Sequence, residues 1–162
     1  STGSNSIGDF SVGYGGVKAD LTSGGLTATL GYNQTGRNSS LRSPYSSWAG
    51  YTSMLIQDFY SAGQKAFLFG ATYDFKAAGA PGLTLAGNIA TGIDAINPAT
   101  GAAVANSTEY DIDLNYRFSD KSWPKWAQPL WLRMRAGVLV PAGGGARTEN
   151  YRIILNYPFE LK

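Results

Sequence analysis

The last third of the chain alternates apolar and polar residues through three long segments. Between 109 and 118, the even positions are apolar or aromatic and the odd positions are charged or amide side chains. In 130–140 the even positions are apolar and the odd positions include Arg133 and Arg135. In 150–157 the odd positions are apolar and the even positions include Asn150, Arg152 and Asn156. Because successive side chains of a strand point to opposite sides, we predict three β-strands, each with an apolar and a polar face.

Strand length favours a membrane barrel over a soluble sheet. Soluble strands average about five or six residues, whereas about ten tilted residues cross a bilayer. Aromatic residues lie towards the strand ends on the apolar side, as interfacial aromatics do; they are Tyr110, Phe118, Tyr151 and Tyr157. A soluble β-sandwich, acting as a binding module or adhesin, remains the alternative. It requires the apolar faces to pack against each other.

The same pattern extends over the whole chain. Turn signals and alternation predict seven strands, at about 8–21, 26–34, 65–76, 83–94, 109–118, 130–140 and 150–157. Residues 35–64 lack a spanning pattern and are interpreted as one long loop. The predicted fold class is all-β, an antiparallel transmembrane β-barrel of which this chain supplies about seven strands.

The connections predict how the strands cross the membrane. Bacterial barrels have short periplasmic turns and long extracellular loops. Counting back from the C-terminus places 35–64, 95–106 and 142–146 outside, and 22–25, 77–82 and 119–127 in the periplasm. Single-chain bacterial barrels have an even number of strands. We therefore expect an incomplete barrel, with N-terminal strands outside this chain.

Composition excludes several functions. The chain has no cysteine and no histidine, so a disulfide framework, a thiolate metal site and a Ser-His catalytic pair are excluded. We expect no enzymatic activity, no cofactor and no metal. The net charge of +2 is small, and the arginines are dispersed along the chain. Both observations argue against nucleic acid as a partner.

Charged side chains line the polar faces of the last three strands. Alternation turns Arg133, Arg135 and Arg152 towards the lumen, and the other charges on these faces are Glu109, Asp111, Asp113 and Arg117. An alternative is that the arginines only pair with the carboxylates across neighbouring strands. Carboxylates about 7 Å apart along a flat strand do not by themselves form a metal cage.

Three tryptophans lie near the connection 119–127, at Trp123, Trp126 and Trp131. We interpret them as membrane-interface anchors, since tryptophan concentrates at that depth. Stacking platforms for sugars are the alternative.

Six motifs in order resemble a known family. They are DFYSAGQK at 58–65, YDF at 73–75, PGL at 81–83, EYDIDLNY at 109–116, LRMR at 132–135 and RIILNYP at 152–158. Residues 57–162 thereby resemble the C-terminal portion of OprD-type outer-membrane porins, the substrate-specific carboxylate channels. The resemblance implies a Gram-negative outer-membrane barrel of about 18 strands.

The resemblance also implies a mechanism and partners. Arg133, Arg135 and Arg152 match a basic row that leads carboxylate-bearing solutes by passive diffusion. Asp58 and Tyr60 match the loop that narrows the channel. The implied partners are outer-membrane lipid, lipopolysaccharide, the N-terminal remainder of the barrel, small carboxylate solutes and, as one assembly, a homotrimer.

Overall fold

The protein is a single antiparallel β-sheet. The computed structural model describes residues 11–42, 50–118, 121 and 123–158. The strands are β1 Tyr14–Ser23, β2 Leu26–Thr35, β3 Lys65–Asp74, β4 Leu83–Ile93, β5 Ser107–Arg117, β6 Trp131–Pro141 and β7 Thr148–Asn156. They lie side by side in chain order in an open, seven-stranded sheet. The predicted all-β class is confirmed.

Strand ends differ slightly from the predictions. β1 begins at Tyr14, and the predicted start at Gly8 lies outside the described residues. β3 ends at Asp74 and not at Lys76. The reason is local: the Asp74 carboxylate accepts a hydrogen bond from the Lys76 amide at 2.8 Å. This bond starts a 3-10 turn, Phe75–Ala78, which diverts the backbone from the sheet.

The first hairpin closes through two glycines. Gly24 and Gly25 have φ angles of 56° and 87°, and Ser23 pairs with Leu26. A two-residue turn with positive φ at both positions matches the twist of the flanking strands, and glycine adopts it without steric cost. This turn fixes the register between β1 and β2.

The sheet has two different faces. Alternation places large apolar side chains on one, here called the apolar face, where Val17, Leu21 and Ile153 are 67%, 75% and 76% exposed. The other, here called the loop face, is covered by part of the segment between β2 and β3. Among the described residues no second sheet covers the apolar face. A sandwich would need such a layer, and an uncovered face of this kind suits lipid.

Aromatic side chains form two rows on the apolar face. Near the long-loop ends of the strands they are Tyr32, Phe67, Tyr110 and Tyr151, and near the turn ends they are Tyr73, Tyr116, Phe118 and Tyr157. Within these rows, the ring centroids of Tyr32 and Phe67 lie 5.1 Å apart and those of Tyr116 and Phe118 lie 4.7 Å apart. Two such rows match the two interfaces of a bilayer.

The small core lies between the sheet and the segment between β2 and β3, which we call the long loop (residues 36–64). Phe59 of the loop packs on Ala66, Leu68 and Ala90 from β3 and β4. The described part of the chain contains no helix with the length and hydropathy needed to cross a bilayer. Phe59 holds the described part of the loop against the loop face.

Candidate functional site

A cluster of arginines surrounds one carboxylate on the loop face. The register puts Asp113 of β5 opposite Arg135 of β6, and Arg135 opposite Arg152 of β7. Arg133 Nε donates to both oxygens of Asp113, at 3.0 and 2.9 Å, and its Nη2 donates to Asp113 as well. Arg135 Nε lies 2.8 Å from Asp113 Oδ2 without hydrogen-bond alignment. One carboxylate thus faces two guanidiniums.

Accessibility differs between the two signs of charge. The side chain of Asp113 is only 8% exposed, whereas the side chains of Arg133 and Arg135 are 30% and 23% exposed. Arg152 is exposed. A solute moving along this part of the sheet would therefore meet the guanidiniums before the carboxylate.

Arg152 also contacts the long loop. Its Nε donates to Asn150 Oδ1 at 3.0 Å, and its Nη2 donates to the Leu55 carbonyl at 3.1 Å. The same side chain thus lies opposite Arg135 and bonds the loop backbone.

Arg117 lies farther towards the turn end. Its guanidinium is stacked over Trp131, 4.7 Å from the ring centroid. Trp131 Nε1 donates to Asn115 Oδ1 at 3.2 Å, which places this tryptophan on the loop face. The expectation that Trp131 anchors the membrane interface is therefore wrong, because the strand register turns it away from lipid.

Glu109 and Asp111 bind the backbone of the long loop. Glu109 accepts from the Ile56 amide at 2.6 Å and from the Gln57 amide at 2.8 Å. Asp111 Oδ2 accepts from the Leu55 amide at 2.9 Å. Glu109 is fully buried. These carboxylates lie on the face that the sequence predicted, but beneath the loop.

Glycines make room for the loop. A Cβ added at Gly137 would lie 3.3 Å from the Leu55 Cβ and 2.5 Å from Asp111 Oδ1. One added at Gly92 would lie 2.6 Å from the Phe59 ring. Contacts of 2.5 and 2.6 Å are closer than real Cβ atoms come, so at Gly137 and Gly92 the loop lies where the wall lacks side chains.

Asp58 and Tyr60 lie together in the loop. Asp58 Oδ1 accepts from Ser53 Oγ at 2.5 Å. Burial raises the pKa of Tyr60 above its ordinary 10.0, and the hydrogen bond to Asp58 raises this pKa further. The hydrogen bonds of the wall arginines go to other groups. Arg133 donates to Asp113, and Arg152 donates to Asn150 and to the Leu55 carbonyl.

Phe59 lies between Asp58 and Tyr60 in the chain, and the sequence predicted no role for it. It has a φ of 55° and is 1% exposed. A bulky residue adopts this left-handed conformation only where its surroundings hold it. Asn33 Nδ2 donates to the Phe59 carbonyl at 3.1 Å, so β2 fixes this point of the loop.

The carboxylates of β5 are occupied by protein partners. Within the described residues, no three acidic side chains converge as a metal site would require. The arrangement instead offers cationic side chains along one wall and a loop fixed beside them.

An apolar face bounded by aromatic rows and an opposite face lined by charges define the wall of a β-barrel. A model of the family described as outer membrane porin, OprD family, matches residues 1–161. The chain belongs to this family, and its place is the outer membrane. The resemblance stated from the sequence and the predicted localisation are both confirmed.

Solved porins share the fold. OccK9 (OpdG) of Pseudomonas aeruginosa is 25% identical with a TM-score of 0.78, over 96% of this chain and 38% of that one. OpdK of the same organism, in a structure with vanillate, is 21% identical with a TM-score of 0.80, over 97% and 40%. A BenF-like porin from Pseudomonas fluorescens Pf-5 is 19% identical with a TM-score of 0.82, over 98% and 40%.

The chain thus spans about two fifths of the length of these solved relatives. No curated protein matches it.

Proposed function

We propose that the chain forms part of the wall of a channel giving small carboxylate-bearing solutes passive, selective passage through the outer membrane. The loop face lines the water-filled lumen, and the apolar face contacts lipid and lipopolysaccharide. In the described part of the chain, β1 and β7 each pair on one side only. Their free edges are where the rest of the barrel wall joins, because a membrane barrel leaves no unpaired edge.

The accessibility of the charges carries this proposal. The loop face of β5 to β7 holds three carboxylates and four arginines. Glu109 and Asp111 bond the loop backbone, and Asp113 lies beneath two guanidiniums. The surface left for a solute is therefore cationic, although the numbers of positive and negative groups nearly balance.

Arginine suits the passage of carboxylates. A guanidinium offers a carboxylate two parallel hydrogen bonds. Arg133 already binds Asp113, so a solute must compete with that carboxylate. Competition keeps each site weak, and several weak sites in succession allow release as well as entry. Arg135 and Arg152, paired in the register, provide the adjacent sites.

A relative supports the solute class. OpdK has been crystallised with vanillate, an aromatic carboxylate. We propose aromatic or similarly small carboxylates as the solutes here, and a constricting role for Asp58 and Tyr60 in the loop.

The test compares solutes of one shape and different charge. The full-length porin would be reconstituted in liposomes, and influx of benzoate, benzamide and benzylamine measured. We expect benzoate to enter fastest and benzylamine slowest. Equal rates for benzoate and benzamide would overturn the proposal, because size alone would then govern entry.

A further inference from the structure

We propose that Glu109 and Asp111 are positioning residues that hold the long loop at one place beside the arginines. Together with Arg152 they form what we call the loop clamp. The inference rests on the proposed function in one respect, namely that the loop face lines the lumen. It assigns these two carboxylates a role distinct from that of Asp113, their neighbour on the same strand.

The clamp binds three consecutive amides. Leu55 donates to Asp111, whereas Ile56 and Gln57 donate to the two oxygens of Glu109. Backbone N–H groups in a covered, irregular segment need acceptors, since leaving one unpaired is costly. The carboxyl oxygens of Glu109 and Asp111 supply these acceptors. Two side chains on one strand thus accept hydrogen bonds from all three of these loop amides.

Other contacts close the clamp from both sides. Arg152 donates to the Leu55 carbonyl at 3.1 Å, and Ser107 Oγ donates to Gln57 Oε1 at 3.1 Å. Gly137 leaves the space that Leu55 fills. Strands β5, β6 and β7 therefore all contribute to one short stretch of loop.

The clamp couples loop position to the cationic wall. Arg152 lies opposite Arg135 in the register and bonds the loop at the same time. Displacing the loop would free Arg152 and uncover Glu109 and Asp111. The lumen would then gain two exposed carboxylates beside the arginines and lose part of its positive character.

The experiment removes acceptor oxygens without changing side-chain size. Glu109→Gln replaces one of the two oxygens that accept from Ile56 and Gln57 with an NH₂ group, and Asp111→Asn removes the charge while leaving one oxygen for the Leu55 amide. Asp20→Asn is the matched control, because Asp20 also lies on the loop face but bonds Lys18 and Thr29. Current fluctuations of the full-length porin would be recorded in potassium chloride across a planar bilayer.

We expect the double variant to visit displaced-loop levels roughly tenfold more often than the wild type, because leaving a covered amide without its acceptor costs about 1–3 kcal/mol. Asp20→Asn should behave as the wild type does. Equal fluctuations in the double variant and this control would overturn the clamp. Heat-modifiable migration checks assembly first; if the double variant does not assemble, Glu109→Gln alone is tested by the same criterion.

A reversible tether shows whether the loop is what moves. A Cβ built at Gly31 lies 3.7 Å from the Tyr51 Cβ, within the range for a disulfide. This chain has no native cysteine, and any cysteine in the rest of the full-length porin would first be replaced by serine. Gly31→Cys with Tyr51→Cys, added to the double variant, should suppress the current fluctuations when the disulfide is oxidised. Reductant should restore them. Fluctuations that ignore the closed tether would overturn the proposal.

The two proposals can fail separately. Potassium chloride fluctuations report loop position and involve no organic carboxylate. Loss of the benzoate preference with the clamp result intact would remove only the solute assignment. A benzoate preference with no effect of the clamp variant would remove only the clamp.

Discussion

Arg133 donates from Nε to both oxygens of Asp113, at 3.0 and 2.9 Å, and Asp113 is only 5% exposed. The carboxylate is thereby screened by its partner, and the partner keeps a face towards the lumen. Arg135 contributes a second guanidinium to the same carboxylate, 2.8 Å away. This arrangement sets how much positive charge the wall presents.

Removing the Asp113 charge should make the channel more selective for anions. Asp113→Asn frees the guanidiniums of Arg133 and Arg135 from their shared counter-charge. We expect the reversal potential in a potassium chloride gradient to move towards anion permeation. The effect should shrink near 1 M salt, where the screening length is about 3 Å against about 10 Å at 0.1 M. An unchanged potential, or one shifted towards cations, would contradict this.

A methyl group at Gly137 should disturb the loop. Gly137→Ala places a Cβ 3.3 Å from the Leu55 Cβ and 2.5 Å from Asp111 Oδ1, and overpacking of this kind costs about 1–3 kcal/mol. Gly87→Ala is the control, since its added Cβ would meet only the Asp111 carbonyl at 4.0 Å. We expect lower thermal stability and altered conductance for Gly137→Ala alone. Equal effects of both variants would show that the Leu55 contact does not matter.

An arginine at the middle of the apolar face should weaken insertion. Ile112 is the central residue of β5 and is 52% exposed on that face. Ile112→Arg should reduce the free energy of unfolding in lipid by about 2–4 kcal/mol, which is the cost of an arginine near the bilayer midplane. Asn88→Arg, at the middle of β4 on the loop face, is the control and should cost much less. Denaturant titration in vesicles measures both, and similar costs would argue that the two faces are wrongly assigned.

Tyr60 should remain protonated at unusually high pH. Burial, and then the bond to Asp58, raise its pKa above 10.0. A proton held more tightly in the folded state contributes stability below the ordinary pKa, and this is lost as pH rises through the raised value. The difference in tyrosinate absorbance between the wild type and Tyr60→Phe reports Tyr60, and it should titrate with a pKa above 10.0. Asp58→Asn should restore only part of the shift, because burial is the larger cause; a full return would contradict that order.

The sequence predicted the strands and their faces because these depend on local alternation. Asp113, Arg133 and Arg135 could be placed on one face from the two-residue period alone. The extent of β3 was overestimated, since alternation continues to Phe75 while Asp74 already caps a turn.

The loop contacts could not be predicted in this way. Glu109 and Ile56 are 53 positions apart, and their bond depends on the path of an irregular segment. Glu109, Asp111 and Asp113 look alike in the sequence, so nothing local separates the two that hold the loop from the one that pairs with arginines. Glycines inside strands, such as Gly137 and Gly92, mark close approach, but nothing in the sequence connects them to the loop.

The most direct test of the account neutralises the two arginines of β6. Arg133→Gln with Arg135→Gln in the full-length porin should lower benzoate influx by about tenfold, given the strength of charge-assisted bonds, while benzamide influx changes little. The reversal potential should move towards cations. Arg147→Gln, an exposed arginine of the β6–β7 connection, is the control and should leave both unchanged. If the paired variant leaves ion selectivity and benzoate influx as they are in the wild type, these arginines do not select the solute.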